Sequence, residues 1–345
     1  MLNIEKLLTT KNRRNFLIFL GIFLLEIFRD LILPKTARSS NSSNSSSPSK
    51  PKPKPKDEEF QFFVAKLNRA GKLRAEPGKG KYFTLDLGNN IGLDMVNIKG
   101  GKFKIGSPEN EDGRGSDETQ IDNDVKVETF YMSRYLITQV QWEKVAKLPK
   151  VDLDLSDKPS TFDEKELNKR KLPVETISWE EAEEFCKRLS QKFEGKYKLP
   201  SEREWEYACR ANTTTPFYCG ETITPEVANY DCHYRYDGKP PDKNETEQYK
   251  GETVSVELIQ VTNNFGLNGM SGNLWEWCED IYYPNYKDKD HVNHSDSSVE
   301  KTPQLRVIRG GAWNSFPASC RSAKRNSKPQ DIKMNTIGFR VVCTF

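Results

Sequence analysis

The clearest periodic signal along the chain lies between residues 179 and 193, where apolar residues recur every three or four positions. The apolar positions are Ala182, Phe185, Cys186, Leu189 and Phe193. Charged residues fill the positions between them, so the pattern predicts an amphipathic helix with one buried face. Cys186 lies on this apolar face, which explains the thiol by packing alone.

Three segments carry a capping box, in which a hydroxyl residue and a Glu or Gln three positions later satisfy free amides at a helix start. The pairs are Thr138 with Gln141, Ser178 with Glu181 and Ser201 with Glu204. We therefore expect a helix to begin at each of these three places.

The last third of the chain has a different pattern, with short aromatic and β-branched runs separated by glycines. These glycines are Gly266, Gly269, Gly272, Gly310, Gly311 and Gly338. They indicate tight turns between short buried segments, and Trp275, Trp277 and Trp313 provide large apolar surfaces. Together with the helices, this pattern predicts an α+β domain that is irregular and rich in loops.

The first 81 residues divide into an anchor or signal segment (residues 1–38) and a linker (residues 39–81). Ser and Asn dominate Ser39–Ser49, and Lys alternates with Pro in Lys50–Lys56, a composition typical of a spacer. Phe63, Val64 and Leu67 suggest a short amphipathic helix in Phe60–Lys72. The globular domain is expected to comprise residues 82–345.

An apolar run, Phe16–Leu25, follows three basic residues, and weaker hydrophobicity continues to Leu33. The whole segment is near the lower length limit for a transmembrane helix. We favour a membrane signal-anchor with the domain on the extracytoplasmic side, although Arg29, Lys35 and Arg38 leave the cytoplasmic side open. A cleaved signal peptide and an amphipathic surface helix are the alternatives.

The charges are unevenly distributed between the tail and the domain. Residues 1–56 contain 11 basic and 3 acidic residues, so a chain of net charge +3 has a net charge of −5 in residues 57–345. A mildly acidic domain argues against nucleic acid as a partner. The seven cysteines contain no CxxC pair, which favours free buried thiols over a set of disulfides.

Many short motifs in one order resemble the formylglycine-generating enzyme family, also called sulfatase-modifying factor domains. They include Gly100–Phe103, Leu199–Ala208, Phe265–Cys278, Arg306–Trp313 and Ile337–Val342. The resemblance extends over about residues 82–345 and implies the C-type-lectin-like variant of the α+β class.

The resemblance also implies an activity, the copper-dependent oxidation of a sulfatase cysteine to formylglycine. Family enzymes bind copper(I) through two cysteines. Counted forward from Gly311, the first position holds Ser315 and the second holds Cys320. Counted backward from Arg340, the register shifts by three residues, and Cys320 no longer falls at the second cysteine position of the family. Because a hydroxyl is a poor ligand for copper(I), we expect no copper site, and Cys320 is the single catalytic candidate.

Calcium is the other cofactor that the resemblance implies. The corresponding oxygen ligands here are Asn229, Gly272, Leu274 and Glu276, with Asn268 as a substitute because Gly269 has no side chain. Carboxylate, amide and carbonyl oxygens suit this ion. A structural hydrogen-bonding role for Glu276 is the alternative.

The segment from Trp313 to Thr336 has glycine-framed ends and an interior without helical or strand period, which indicates a scaffold that displays a surface. Apolar residues among polar neighbours would provide binding energy. The candidate ligand-binding residues are Trp313, Asn314, Ser315, Phe316, Ser319, Lys324, Asn326, Lys328, Ile332 and Met334. The segment resembles family members that serve as variable proteins of diversity-generating retroelements. An ordinary loop is the alternative.

We therefore predict a non-catalytic domain that binds a protein ligand and is attached to a membrane by its amino-terminal segment. The copper-dependent oxidase and a structural envelope protein are the competing hypotheses.

Overall fold

The computed structural model describes residues 55–121, 124–162, 171–286 and 304–345. The three capping boxes predicted from the sequence are confirmed, because each hydroxyl accepts a backbone N–H and each Glu or Gln accepts the amide of the cap residue. The helices are α1 Gln139–Ala146, α2 Trp179–Lys192, α3 Glu202–Arg210 and the short α4 Lys243–Thr246.

Most strands of the described residues belong to two sheets. Their bounds are β1 Glu58–Leu67, β2 Leu73–Asp86, β3 Gly92–Ile98, β4 Gly101–Phe103, β5 Val125–Val127, β6 Phe130–Ser133, β7 Lys196–Lys198, β8 Val261–Thr262, β9 Trp275–Ile281, β10 Leu305–Arg309, β11 Arg325–Pro329, β12 Ile337–Gly338 and β13 Val342–Thr344. The larger sheet has the order β7-β13-β6-β3-β2-β1-β8, and the smaller sheet has the order β11-β10-β9-β12. A pair, β4-β5, stands apart from both. This mixed α+β architecture agrees with the predicted class.

The predicted helix at Phe60–Lys72 is wrong, because residues 58–67 form strand β1 and pair with β2 in antiparallel register. Alternate residues Phe60, Phe62 and Val64 share one face, and Phe62 and Val64 are buried. The glycines of β2 leave room for the Phe62 ring: a Cβ on Gly78 would lie 2.3 Å from it. Residues 58–67 and 73–81 of the predicted linker therefore lie in strands β1 and β2.

Two groups of buried side chains form the core. Trp142 stacks on Phe185 of α2 with ring centroids 5.5 Å apart, and Phe339 meets both rings edge-on. Trp275 and Trp277 are buried as predicted, whereas Trp313 is half-buried. All seven cysteines are free and buried, which confirms the prediction of packed thiols.

Two glycines near the carboxyl end are required by close backbone contacts. Gly311 has a φ of 77°, and a Cβ there would lie 2.6 Å from the Cys320 sulfur. Gly338 in β12 has no left-handed φ, but a Cβ there would lie 2.6 Å from the carbonyl oxygen of Val174. At these two positions the backbone of the carboxyl-terminal segment packs directly against neighbouring atoms and leaves no room for a side chain.

The predicted anchor lies outside the described residues. Within the described ranges, no helix has the length and apolar character needed to cross a membrane.

The β1–β2 hairpin makes a testable contribution to stability. Replacing the buried Phe62 by Ala should cost about 3–5 kcal/mol of unfolding free energy, because it leaves a cavity between β1 and the glycines of β2. Urea denaturation measures this loss. The matched control is Phe63→Ala on the opposite face of the same strand, where the ring is 41% exposed and the loss should stay below about 1 kcal/mol. Equal losses in the two variants would contradict the account.

Candidate ligand-binding site

The segment Trp313–Thr336 contains more regular structure than its sequence indicates. A 3₁₀ turn covers Pro317–Cys320, and strand β11 pairs with β10 from Arg325 to Pro329. Buried arginines within the segment and on the neighbouring strand β10 connect it to distant parts of the chain.

Arg321 is fully buried and binds the loop between β4 and β5. Its guanidinium donates to both carboxylate oxygens of Glu118 at 2.8 Å, to Glu111 and to the carbonyl oxygen of Gly113. These hydrogen bonds lower the pKa of Glu118 despite the opposing effect of burial. The loop 109–118 is thereby fixed against the 3₁₀ turn.

Arg309 and Arg325 attach the same segment to helix α3. Arg325 forms a bidentate pair with Glu202, with N–O distances of 2.7 and 2.9 Å. Arg309 binds Glu206 and the carbonyl oxygens of Ala323 and Lys324. Removing one partner of such a buried pair typically costs about 3–5 kcal/mol, so these contacts hold the segment in one conformation.

A groove of about 370 Å³ opens beside the 3₁₀ turn. Its lining comprises Asp112, Gly113, Tyr234, Arg235, Tyr236, Phe316, Pro317 and Ala318. The rings of Tyr234 and Phe316 meet edge-on with centroids 4.6 Å apart, yet these residues are 51% and 54% exposed. Exposed aromatic rings beside a concave surface are typical of a binding site rather than of a core.

The two charged residues of the groove differ in their partners. Arg235 is paired with Asp237 and Glu245, and its hydrogen bond lowers the pKa of Asp237 to about 2. The Asp112 carboxylate has no ion pair or hydrogen bond with another described residue; its backbone carbonyl accepts the Tyr236 hydroxyl at 2.7 Å. The groove therefore offers the Asp112 carboxylate, without an ion pair among the described residues, next to aromatic surface.

The ten candidate residues occupy different environments. Asn314, Phe316, Asn326 and Ile332 are exposed, and Trp313, Ser315, Ser319, Lys324, Lys328 and Met334 are half-buried. Only Phe316 of this set lines the groove. Asn326 and Lys328 lie on strand β11, and Lys324 is 3.6 Å from Glu118. Met334 packs against the core, which makes it a poor anchor for a ligand.

Trp313, the first residue of the segment, contacts residues near the segment's other end and outside it. Its ring packs edge-on against Phe162 at 5.8 Å, and its indole N–H donates to the carbonyl oxygen of Asn335. Asp112, Tyr234, Arg235 and Tyr236 were not predicted, because no local pattern distinguishes them. Only the clustering of Tyr230, Tyr234 and Tyr236 in a polar stretch could have drawn attention to that loop.

The residues at the two copper positions do not fit a copper(I) ion. Ser315 accepts the backbone N–H of Ala312 through its hydroxyl oxygen. Cys320 is fully buried, and this burial raises the pKa of its thiol to about 12; copper(I) prefers a pair of soft thiolates, and Ser315 supplies no second one. No group of three or more His, Cys, Asp or Glu side chains is placed to hold a metal in the described ranges.

Glu276 fits the alternative hydrogen-bonding role better than it fits calcium. One carboxylate oxygen accepts the Trp205 indole N–H and the Arg340 Nε–H, each at 2.7 Å, and the other accepts Arg340 Nη2–H at 3.0 Å. A guanidinium thus occupies both oxygens that a cation would need. The backbone of Gly272 instead lies against Asn229, where a Cβ would be 2.3 Å from the Asn229 carbonyl oxygen.

The amide residues of the predicted calcium set line a cavity of about 20 Å³, enough for one water molecule. Asn229 Nδ2–H donates to Asn273 Oδ1 at 3.1 Å, and Asn268 Oδ1 accepts from Arg134 Nε–H at 3.2 Å. No carboxylate lines this cavity. A neutral site whose amide oxygens are partly occupied is a poor match for calcium.

Relatives of the chain include both active and inactive enzymes. A formylglycine-generating enzyme of Streptomyces coelicolor is 32% identical over 172 residues, covering 49% of this chain and 51% of that protein. An inactive C-alpha-formylglycine-generating enzyme 2 of Bos taurus is 24% identical, covering 74% of this chain and 90% of that protein. The chain spans 37% of the length of a serine/threonine-protein kinase pkn1 of Chlamydia caviae and 51% of the length of the Streptomyces enzyme.

Two solved structures share the fold. PvdO from Pseudomonas aeruginosa is 24% identical with a TM-score of 0.59, and Treponema denticola variable protein 1 is 19% identical with a TM-score of 0.51. Each alignment covers 76% of this chain and 98% of the other.

The family profile for the sulfatase-modifying factor enzyme 1-like domain matches residues 88–345. This match takes in helices α1 to α3, the groove residues and most of the buried core, and leaves the β1–β2 hairpin outside it. The chain therefore belongs to the sulfatase-modifying factor enzyme 1-like domain family.

Proposed function

We propose that this protein is a non-catalytic binding domain whose groove between Tyr234 and Phe316 holds a segment of another protein. The observation that carries the proposal is this exposed aromatic pair over a groove of about 370 Å³. Such a volume lies within the range of ordinary ligand sites. The hydroxyl of Ser315, at the position where a second copper thiolate would be needed beside Cys320, supports a role without copper chemistry.

The charges of the groove point to the chemistry of the bound segment. Asp112 has no ion pair with another described residue, and the exposed rings of Tyr234 and Phe316 offer apolar surface. An extended segment that places an apolar side chain next to a Lys or Arg would satisfy both features. Exposed aromatic residues commonly contribute much of the binding energy of such interfaces.

The similarity to the inactive bovine protein supports a role without catalysis, because it extends over most of both chains. A diversified surface in the segment Trp313–Thr336 is part of the proposal. The buried arginines would keep the segment in place while exposed residues such as Asn314, Phe316 and Asn326 vary.

A selection of peptides displayed on phage tests the proposed ligand. Peptides selected on the full domain should be enriched in an apolar residue adjacent to Lys or Arg. Binding of these peptides should weaken at least about tenfold in Phe316→Ser and in Asp112→Asn, because each change removes one of the two complementary features. Fluorescence anisotropy of the labelled peptides gives the affinities.

The control for this selection is Leu258→Ser, which alters a side chain of similar exposure, 57%, that does not line the groove. It should bind the peptides as the unaltered protein does. If Phe316→Ser and Leu258→Ser bind the selected peptides equally well, the groove is not the binding site.

A copper-dependent formylglycine-generating oxidase is the second candidate, favoured by the similarity to the Streptomyces enzyme and by the position of Cys320. We expect copper-treated protein to leave the cysteine of a sulfatase peptide intact, since Ser315 stands where the second thiolate of a copper(I) site would be needed. Mass spectrometry of the peptide decides this. Conversion of the cysteine to the aldehyde, abolished by Cys320→Ser, would refute the non-catalytic function.

The tether is a separate part of the proposal, and its support is the apolar run that follows basic residues in 1–38. Deleting residues 1–38 should move the protein from the sedimented membranes to the supernatant, while the peptide affinity stays unchanged. A full-length protein that remains in the supernatant after cell lysis would contradict a membrane anchor.

A further inference from the structure

Arg340 lies in the loop between strands β12 and β13 and is completely buried. Burial of a full charge is costly unless other groups replace its hydration. The side chain must therefore obtain compensation from the groups around it.

The compensation comes from oxygen atoms on three separate segments. The Glu276 carboxylate on β9 binds Nε and Nη2. The carbonyl oxygens of Asn268 and Gly269 lie 3.1 and 3.4 Å from Nη2. Those of Ser133 and Arg134 lie 3.1 and 3.4 Å from Nη1.

Such an arrangement of one carboxylate and several backbone carbonyls is the ligand type that hard cations prefer. Here the centre of the arrangement is the guanidinium, whose single positive charge balances the charge of Glu276. A divalent ion placed among the same oxygens would lie against the guanidinium and would experience strong repulsion. Gly269 contributes no side-chain oxygen that could offset this repulsion.

We propose that Arg340 is the resident cation of this oxygen cage and that the domain accordingly folds and stays folded without a divalent metal. The guanidinium joins β9, the end of β6 and the turn at residues 268–269, which a bound ion would otherwise hold together. The cage is thus a cation site that the chain fills with its own side chain, and removing the side chain exposes a site for an external cation.

Thermal unfolding of the full chain tests the proposal in two steps. The midpoint of the unaltered protein should change by less than about 1 °C between excess calcium and excess EGTA, since a ligand that does not bind cannot stabilise. A calcium-dependent rise that EGTA reverses, with calcium binding at one equivalent in calorimetry, would overturn the proposal.

The second step uses Arg340→Ala, which leaves Glu276 buried without a counter-charge. Its midpoint should fall by roughly 10 °C, and calcium or methylguanidinium should restore a large part of that loss at concentrations that do not stabilise the unaltered protein. Tetramethylammonium chloride at the same ionic strength is the salt control. Failure of both cations to stabilise this variant would overturn the cage.

Two further variants keep the test decisive. In the double variant Arg340→Ala with Glu276→Gln, the cage loses its negative charge, so neither cation should raise the unfolding midpoint. A rise as large as that in Arg340→Ala alone would show that the cations act elsewhere. If Arg340→Ala does not fold, Arg340→Lys decides together with the unaltered protein. The Lys variant should fold and remain insensitive to EGTA because its ammonium retains the charge, and a requirement for calcium in that variant would contradict the proposal.

Discussion

The carboxyl-terminal part of this domain depends on ion pairs between buried arginines and carboxylates from other parts of the chain. Arg309 and Arg325 bind helix α3, Arg321 binds the loop 109–118, and Arg340 binds strand β9. Each pair becomes costly when one partner is lost. The segment between β10 and β13 can therefore hold one conformation although it contains little regular structure.

This arrangement separates the residues that determine the fold from those that face solvent. Asn314 and Phe316 are exposed, whereas Arg321 and Ser322, a few positions later in the chain, are buried, so the exposed positions add little to stability. Their side chains can change without moving the backbone that presents them. Such a separation suits a surface that recognises a partner, since the free energy of folding and the choice of ligand reside in different side chains.

Local patterns in the sequence were sufficient for the features that are local in the structure. The capping boxes, the apolar face of α2 and the glycine turns each depend on residues a few positions apart. The β1 strand was missed because Phe63, Val64 and Leu67 fit helical spacing, whereas Phe60, Phe62 and Val64 alternate. The strand is favoured over the helix because Gly78 and Gly80 in the partner strand make room for the rings of Phe60 and Phe62.

The candidate site was predictable only in part, because local patterns reveal only features formed by residues close in sequence. Phe316 was identified because it is an apolar residue among polar neighbours, but Tyr234 and Asp112 join it from distant positions that no local pattern connects. Glu276 was predicted as a calcium ligand, yet Arg340, 64 residues away, binds both of its oxygens. Which distant charge meets a buried carboxylate is decided by packing and cannot be read from spacing.

The central claim is that a rigid segment presents the Tyr234–Phe316 groove to a protein ligand. Hydrogen–deuterium exchange of the domain with and without a selected peptide tests it most directly. The account predicts slower exchange of backbone amides at residues 234–236 and 316–318 in the complex, with little change at the buried arginines. Protection confined to residues 330–334, or a general slowing across the whole segment 313–336, would contradict it.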